Sequence, residues 1–413
     1  MRLWLIGAYG AVSTTTFVGA KAVEEGLIDT AGLVTEMPQF KDVQETIPLV
    51  FEFGGHEIRN PEHDFYEAAV WQWERNKHYR REVLEEVSPS LKDVFAQPGT
   101  ALNCGPGVNA LDNLHPLEAE GYTVREIVDI LIEDMAQFKN RDTVVINLAS
   151  TEPLLPHAPE YHNTIDGLEC AIDEDKKEFL SASILYAYAA IKNRIPYVNF
   201  TPSPGSSILA LEKLAKKLKV PHAGNDGKTG ETLVKTVLAP LFLYRNMPVE
   251  GWMSYNILGD DDGKVLSHTK NKESKTRSKD SVLSKTLGYQ PYSICDIEFF
   301  PSLVDNKIAF DFIHFRGFLG TTMKMYFIWD GIDSILAAPL VIDLARLLLY
   351  AKRRGEYGVI SELGYFFKSP MGTPQTNLFE QFQTLTEWVQ GKPRATTELE
   401  VEPQEERSVE SEV

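Results

Sequence analysis

Lysine is concentrated in one stretch of this 413-residue chain. Between Gly263 and Thr286 stand Lys264, Lys270, Lys272, Lys275, Arg277, Lys279 and Lys285, against only Glu273 and Asp280. Two further lysines are isolated in apolar surroundings, Lys307 in FPSLVDNKIAFDF and Lys368 in GYFFKSP. The chain as a whole is acidic, with a formal net charge of -18. A local cationic site in an anionic protein focuses charge on a small anion. A nucleic-acid surface would be basic over a whole face, so nucleic acid is not an expected partner. The plain alternative is a solvated lysine-rich loop, and the rest of the chain decides between the two.

The N-terminus has the pattern of a dinucleotide site. LWLIG (3–7) is an apolar run that stops at Gly7, followed by Ala8, Tyr9, Gly10, Ala11 and a helix-like stretch from Ser13–Thr16. A strand that turns through glycines into a helix presents main-chain N–H groups to a pyrophosphate. The pattern here is only G-x-x-G, with Val12 where a third glycine often stands. No leader is expected ahead of it. Two acids are candidates for the adenosine ribose: Glu36, after the strand-like AGLVT, and Glu57, in FEFGGHEI after a second apolar run. Either would repel a 2′-phosphate and so favour NAD over NADP. Spacing alone does not choose between them.

The elements that must position these residues alternate. LWLIG, AGLVT and LVFEF read as strands, 62–95 as helix, TVREIVDILIEDMAQFKN (123–140) as an amphipathic helix, TVVINLAS (143–150) as a buried strand, FLSASILYAYAAIKN (179–193) as helix and PYVNFT (196–201) as strand. This alternation predicts a doubly wound parallel α/β sheet, whose ligands sit at the carboxyl ends of the strands. Ala149, Ser150, Thr151 and Glu152 stand at one such end and Thr201, Pro202 and Ser203 at another. In GNDGKTGETLVKTVLAPLF the glycines and Lys228 have the wrong spacing for a Walker A loop, so an ATPase is not expected. Beyond it, GWMSYNILG, an acidic DDDG turn and AFDFIHFRGFLG predict extended, partly solvated strands. The predicted division is a Rossmann-type domain over 1–225, an inserted α+β catalytic and oligomerisation domain over 226–329, and helices over 330–393 that return to the first domain.

The chain is long enough, and at 43% hydrophobic apolar enough, for one large core or two moderate ones. No apolar run reaches 18 residues, and LAAPLVIDLARLLLYA (336–351), with Asp343 and Arg346, reads as a buried helix, so no membrane partner is expected. Cys104, Cys170 and Cys295 are few and far apart, which fits a reducing cytoplasm and argues against a disulfide frame or a zinc site. The last twenty residues, 394–413, hold seven glutamates and two arginines and are expected to form a disordered acidic tail.

Eight segments in order, GAYGAVSTT, NLASTEP, NFTPSPGS, HAGNDGKTGETLVKT, GWMSYNILGDDDG, NKESKTRSKD, LVDNK and FFKSP, resemble the myo-inositol-1-phosphate synthases of the shorter, archaeal type. The resemblance runs over roughly residues 1–390. It implies conversion of glucose 6-phosphate to inositol phosphate with tightly bound NAD: oxidation at C5, enolisation, internal aldol closure and re-reduction. It places four active-site lysines at Lys275, Lys279, Lys307 and Lys368, and puts Asn256 and Asp262 at the edge of the substrate site. Lys275 and Lys307 are assigned to the reacting carbonyl and proton transfers, Lys279 and Lys368 to phosphate and hydroxyl positioning. In another version the substrate's own phosphate takes the C6 proton. For NAD the resemblance implies Gly7, Ala8, Tyr9, Gly10, Ala11, Ala149, Ser150, Thr151, Gly224, Asn225, Asp226, Thr229 and Asp305, and selects Glu57, where the family usually has aspartate, as the ribose acid. It also implies a divalent metal, Mg²⁺ or Mn²⁺, with Asp333 as its carboxylate, and a homotetramer whose central block forms the sheet between subunits. Two other readings remain: an NAD-dependent sugar-phosphate dehydrogenase that releases NADH, and a silent NAD-binding regulator. Four lysines in the second half of the chain argue against the regulator.

Overall fold

The structure, a computed structural model, describes residues 1–268 and 283–391. Lys270, Lys272, Lys275, Arg277, Lys279 and the acidic tail fall outside the described residues, as does the side chain of Asp262.

The first sheet is built from β1 (Arg2–Ile6), β2 (Glu52–Glu57), β3 (Gln97–Pro98), β4 (Thr143–Asn147), β5 (Tyr197–Asn199) and β6 (Pro221–Ala223). The second holds β7 (Val249–Leu258), β8 (Tyr292–Phe299), β9 (Asn306–Arg316) and β10 (Thr322–Ile332), after which β11 (Gly358–Val359) returns to the first. The first sheet is parallel throughout, in the order β11-β6-β5-β4-β1-β2-β3. That is the doubly wound order, with its switch point between β1 and β4. Alternate residues of the central strands feed two cores. Leu3, Leu5, Val144 and Ile146 face one layer, and Trp4, Ile6 and Val145 the other. Burial on both faces is why these strands read as continuous apolar runs.

Helix α1 (Ala11–Glu24) and the long helix Asp333–Arg353 cover the first layer; helices Val124–Phe138 and Ala182–Lys192 cover the second. Helix Val124–Phe138 begins at a Thr123–Glu126 capping box, which fixes its entry. Asp333–Arg353 is long and apolar enough to cross a membrane by length and composition alone, but most of it is buried against the sheet.

The second sheet, in the order β10-β9-β7-β8, is mixed: β7 and β8 run parallel, whereas β9 is antiparallel to both β7 and β10. Trp252, Ile313 and Phe315 pack beneath the helix Gly230–Tyr244 through Ala239 and Phe242. On β10, Tyr326 and Ile328 stay exposed.

Four expected elements differ. AGLVT is not a strand. It ends in a short turn of 3-10 helix, Val34–Glu36. Its main-chain N–H groups go to a buried carboxylate instead of a neighbouring strand: Val34 N–H and Thr35 N–H donate to Asp343 at 2.7 and 3.0 Å. The strand expected at LVFEF lies further on and runs through both glycines. A Cβ on Gly54 would sit 2.9 Å from the Trp4 ring, and one on Gly55 would sit 2.2 Å from the Leu5 carbonyl oxygen, so the glycines permit a close approach and do not end the strand. The predicted helix over 62–95 is broken into Phe65–Asn76 and Arg81–Val87 by Lys77 at φ +49°. The DDDG turn is the capped start of a helix, Asp261–Leu266.

Candidate active site

At the carboxyl end of the first sheet β1 turns into α1 beside the loop after β4. Gly7 has φ +77°, and a Cβ there would press on Ala149 at 3.2 Å, so only glycine lets these two loops touch. The turn is closed by its own hydrogen bonds. Gly7 N–H and Ala8 N–H donate to the His56 carbonyl at 3.0 and 3.2 Å, and Gly10 N–H donates to Gly7 at 3.1 Å. Tyr9 N–H donates to Glu57 at 2.8 Å. The side chains of Ala8 and Tyr9 are buried; the Tyr9 hydroxyl donates to the His63 carbonyl and accepts from Ala96 N–H. Helix α1 has no capping side chain and no acid in its first turn, which leaves its leading N–H groups open to an anion.

Glu57 lies at the end of β2 and is bound three times, by Tyr9 N–H, Ile58 N–H (2.8 Å) and Arg59 N–H (3.2 Å). Glu36, the other candidate from spacing, is paired to Arg346 at 2.6 Å and lines neither cavity described here.

Two adjoining cavities open at this edge. The larger contains Gly10, Ala11, Ser150, Thr151, Asp226, Thr229, Lys307, Asp333 and Lys368 in its wall. The smaller contains Gly7, Glu57, Thr100, Glu152 and Tyr186. Lys307, on β9, donates to Asp333 at 3.1 Å; Lys368 donates to Asp226 at 2.8 Å. The Thr229 hydroxyl also reaches Asp333, at 3.3 Å. A Cβ on Gly230 would be 3.7 Å from Lys307 Cε, so the lysine stem lies along the start of helix Gly230–Tyr244. Both lysine side chains are less than a tenth exposed, and each ammonium is held by a carboxylate at the cavity wall.

The remaining expected residues stand behind this wall. Asp305 is buried and accepts from the Ser334 hydroxyl. Burial pushes its carboxyl up to about 7, and the charge of Asp333 adds to the effect. His78 Nδ1 lies 3.8 Å from Asp305, but burial lowers His78 to about 4, so the two are not an ion pair at neutral pH. Asn256 is fully buried and donates to Glu231, which is paired with Lys235 at 2.5 Å. Asn256 therefore does not reach the cavity, contrary to its expected place at the edge of the substrate site. Gly224 and Asn225 shape the loop from behind: the Gly224 carbonyl accepts from Met371 N–H, and Asn225 accepts from Asn199 at 2.9 Å. Sequence reasoning missed His78, Ser334, Glu231 and Lys235. It also missed Arg59 and Arg75, which share Asp261 at the cavity mouth at 3.0 and 3.1 Å. Only Arg59, two residues past the chosen acid, carried a signal.

Among the described residues no group of three or more His, Cys, Asp or Glu side chains is placed to hold a metal. Asp226 and Asp333 both face the cavity, but each is engaged by a lysine.

A parallel sheet switching direction between β1 and β4, a glycine turn into an uncapped helix and an acid at the end of β2 define a Rossmann-type dinucleotide-binding protein. The comparisons with known proteins narrow this. The family description myo-inositol-1-phosphate synthase matches residues 1–390. The chain is 33% identical over 408 residues to inositol-3-phosphate synthase 1 of Bacteroides thetaiotaomicron, covering 92% of each chain. It is 30% identical over 341 residues to inositol-3-phosphate synthase of Brassica napus, covering 74% of this chain and 64% of that one. The crystal structure of inositol-3-phosphate synthase from Caenorhabditis elegans superposes with a TM-score of 0.82 at 25% identity, over 94% of this chain and 84% of that one. The chain belongs to the myo-inositol-1-phosphate synthase family.

Proposed function

We propose that the chain is an inositol-3-phosphate synthase, which converts D-glucose 6-phosphate to 1D-myo-inositol 3-phosphate with NAD as a catalytic cofactor. One observation carries the reading: Lys307 and Lys368 present two buried ammonium groups to the same cavity that the dinucleotide turn enters. NAD, when bound, supplies the hydride acceptor at C5 and the donor that reduces the ring ketone. The protein must hold the sugar phosphate, exclude water and stabilise an oxygen that turns anionic on oxidation and enolisation. A fixed ammonium does that without reorganisation. We assign Lys307 to that oxygen, with Lys275 in the proton transfers, and Lys368 with Lys279 to the phosphate and hydroxyls. Asp262 stands with them at the substrate, and Asn256 acts from behind through Glu231. Gly7–Ala11, Ala149–Thr151, Glu57, the Gly224–Thr229 loop and Asp305 are assigned to NAD.

The division of labour follows the two sheets: 1–225 for the cofactor, 226–329 for catalysis and assembly, and 330–393 returning to the first unit. The exposed Tyr326 and Ile328 on β10 and Tyr292 on β8 support assembly into a homotetramer through the second sheet. A cytoplasmic location rests on cysteines that are few, odd in number and far apart in the sequence. A divalent ion, Mg²⁺ or Mn²⁺, would take Asp333 as its protein ligand and complete its shell with substrate oxygens and water, since no protein cage surrounds it among the described residues.

The test is incubation of the purified chain with glucose 6-phosphate and a catalytic amount of NAD, with products identified by ³¹P NMR. Inositol phosphate should form without lasting absorbance from NADH. Stoichiometric NADH with a keto-sugar product would establish the dehydrogenase instead.

A further inference from the structure

The two cavities share five wall residues: Gly10, Arg59, Leu148, Ala149 and Ser150. On the dinucleotide reading this waist is where the pyrophosphate must pass, with the adenosine beside Glu57 and the nicotinamide beside Lys307. The waist is poor in donors. The N–H groups of Gly7, Ala8, Tyr9 and Gly10 are all consumed inside the turn or by Glu57. On this wall the N–H groups of Leu148 and Ala149 are also taken, by the Ile6 carbonyl and the Asn147 side chain, which leaves Ser150 and the first turn of α1, Ala11–Ser13, to offer main-chain donors, and Arg59 is the one cation among the five shared residues.

Arg59 is held ready. Its side chain is 12% exposed, and its guanidinium donates to Asp261 at 3.0 Å. Arg75 donates to the other oxygen of the same carboxylate at 3.1 Å and lies over the Trp71 ring at 4.6 Å, with Arg59 over the same ring at 5.8 Å. Two guanidinium groups thus share this one carboxylate. The other cations lining the larger cavity, Lys307 and Lys368, each have a carboxylate of their own. A guanidinium also binds phosphate oxygens in pairs, which a backbone turn with its donors spent cannot do.

We propose that Arg59, positioned by Asp261, Arg75 and Trp71, is the counter-cation of the NAD pyrophosphate and a determinant of cofactor affinity in this chain. It does on the side facing α1 what a glycine-richer turn would do with its own N–H groups. The proposal rests on the dinucleotide reading above and goes beyond it by naming how the two charges are met.

The experiment is isothermal titration of the full chain and of Arg59→Gln and Arg59→Lys with NAD, and separately with adenosine. Loss of a charge-assisted contact should weaken NAD binding by about tenfold to a hundredfold in Arg59→Gln. Adenosine, which carries no phosphate, should bind Arg59→Gln and the parent alike. Arg59→Lys should recover part of the loss, and NAD binding by Arg59→Gln should depend less steeply on salt than in the parent. Unchanged NAD affinity in Arg59→Gln overturns the assignment. So does an equal loss for adenosine, which would put the guanidinium on the adenine ring. Failure of the unsubstituted chain to bind NAD at all would instead sink the dinucleotide reading itself.

Discussion

Lys307 at the start of β9 and Asp333 at the first position of the long helix are joined at 3.1 Å, and the residues beside them are joined as well. Asp305, two positions before Lys307, accepts the hydroxyl of Ser334, the residue after Asp333. Asp333 N–H also donates to the Asp305 carbonyl at 3.2 Å. The ammonium is therefore fixed from both sides, by its own partner and by the backbone segments that carry the pair.

That rigidity is what a developing oxyanion needs. Lys307→Ala should lower the rate of inositol phosphate formation by about 10²–10³, with NAD affinity and melting temperature close to those of the parent. Lys264→Ala, in the same lysine-rich stretch but outside both cavity walls, should do little. Rate assays on the two variants side by side decide the matter. Equal, modest losses would mean that the lysines act only as a diffuse attractive field.

Glu57 has two jobs that one substitution can separate. Its two oxygens accept three main-chain N–H groups, and an amide offers one acceptor where the carboxylate offers two. Glu57→Gln should therefore cost about 1–3 kcal/mol of stability by leaving a turn N–H facing an NH₂ group. Removing the negative charge should at the same time narrow the preference for NAD over NADP. Denaturant unfolding reads the first effect and competitive cofactor binding the second. Equal affinity of the unsubstituted chain for both cofactors would withdraw Glu57 from the ribose.

The parts of the fold that could be read from sequence were those decided by local pattern. Apolar runs at β1, β4 and β5 and helical spacing over 124–138 were enough to predict a parallel sheet, because burial on both faces leaves no polar alternation to confuse. What could not be read depends on contacts distant in the chain. AGLVT has strand composition, and only Asp343, some 310 positions on, makes it a turn by taking its N–H groups. The cavity lysines were visible because Lys307 and Lys368 are isolated in apolar surroundings. Asn256 was placed by resemblance alone, and neither that nor strand alternation says that its amide turns to Glu231. His78 gave no sign at all: it sits just past the end of the helix Phe65–Asn76, and its neighbours Asp305 and Ser334 arrive more than 200 residues later.

Asp343 should be the more severe of two core substitutions. Its carboxyl, pushed up to about 6 by burial, binds Val34 N–H, Thr35 N–H and the Thr35 hydroxyl. Asp343→Ala orphans these donors together and leaves Arg346 short of a nearby negative charge, a loss of roughly 3–5 kcal/mol. Glu36→Gln, which weakens only the outer arm of the Arg346 pair, should cost about 1 kcal/mol and leave the preference for NAD untouched. Thermal melts separate the two. A change of cofactor preference in Glu36→Gln would reopen the choice between Glu36 and Glu57.

Lys228 sets a pH-dependent cost on the loop that carries Asp226 and Thr229. The residue is 3% exposed, and its ammonium donates to Gln381 at 2.5 Å, over the Tyr365 ring. Burial lowers it from 10.5 to about 7. The sign follows from proton counts. Above the folded value and below the unfolded one, the unfolded chain holds the proton that the native chain has lost, so this group makes stability rise with pH across that window. Below about 7 the native lysine is charged and the full cost of burying it applies. Lys228→Met removes the charge and also strands the Gln381 amide oxygen, a loss of about 1–3 kcal/mol at any pH. The offset between variant and parent is therefore less telling than its slope. The stability of Lys228→Met relative to the parent should fall steadily between about pH 7 and pH 9.5, as urea unfolding at several pH values would register. A difference that stays flat over that range would mean that Lys228 keeps its proton in the native state and that Gln381 holds an ammonium there at neutral pH.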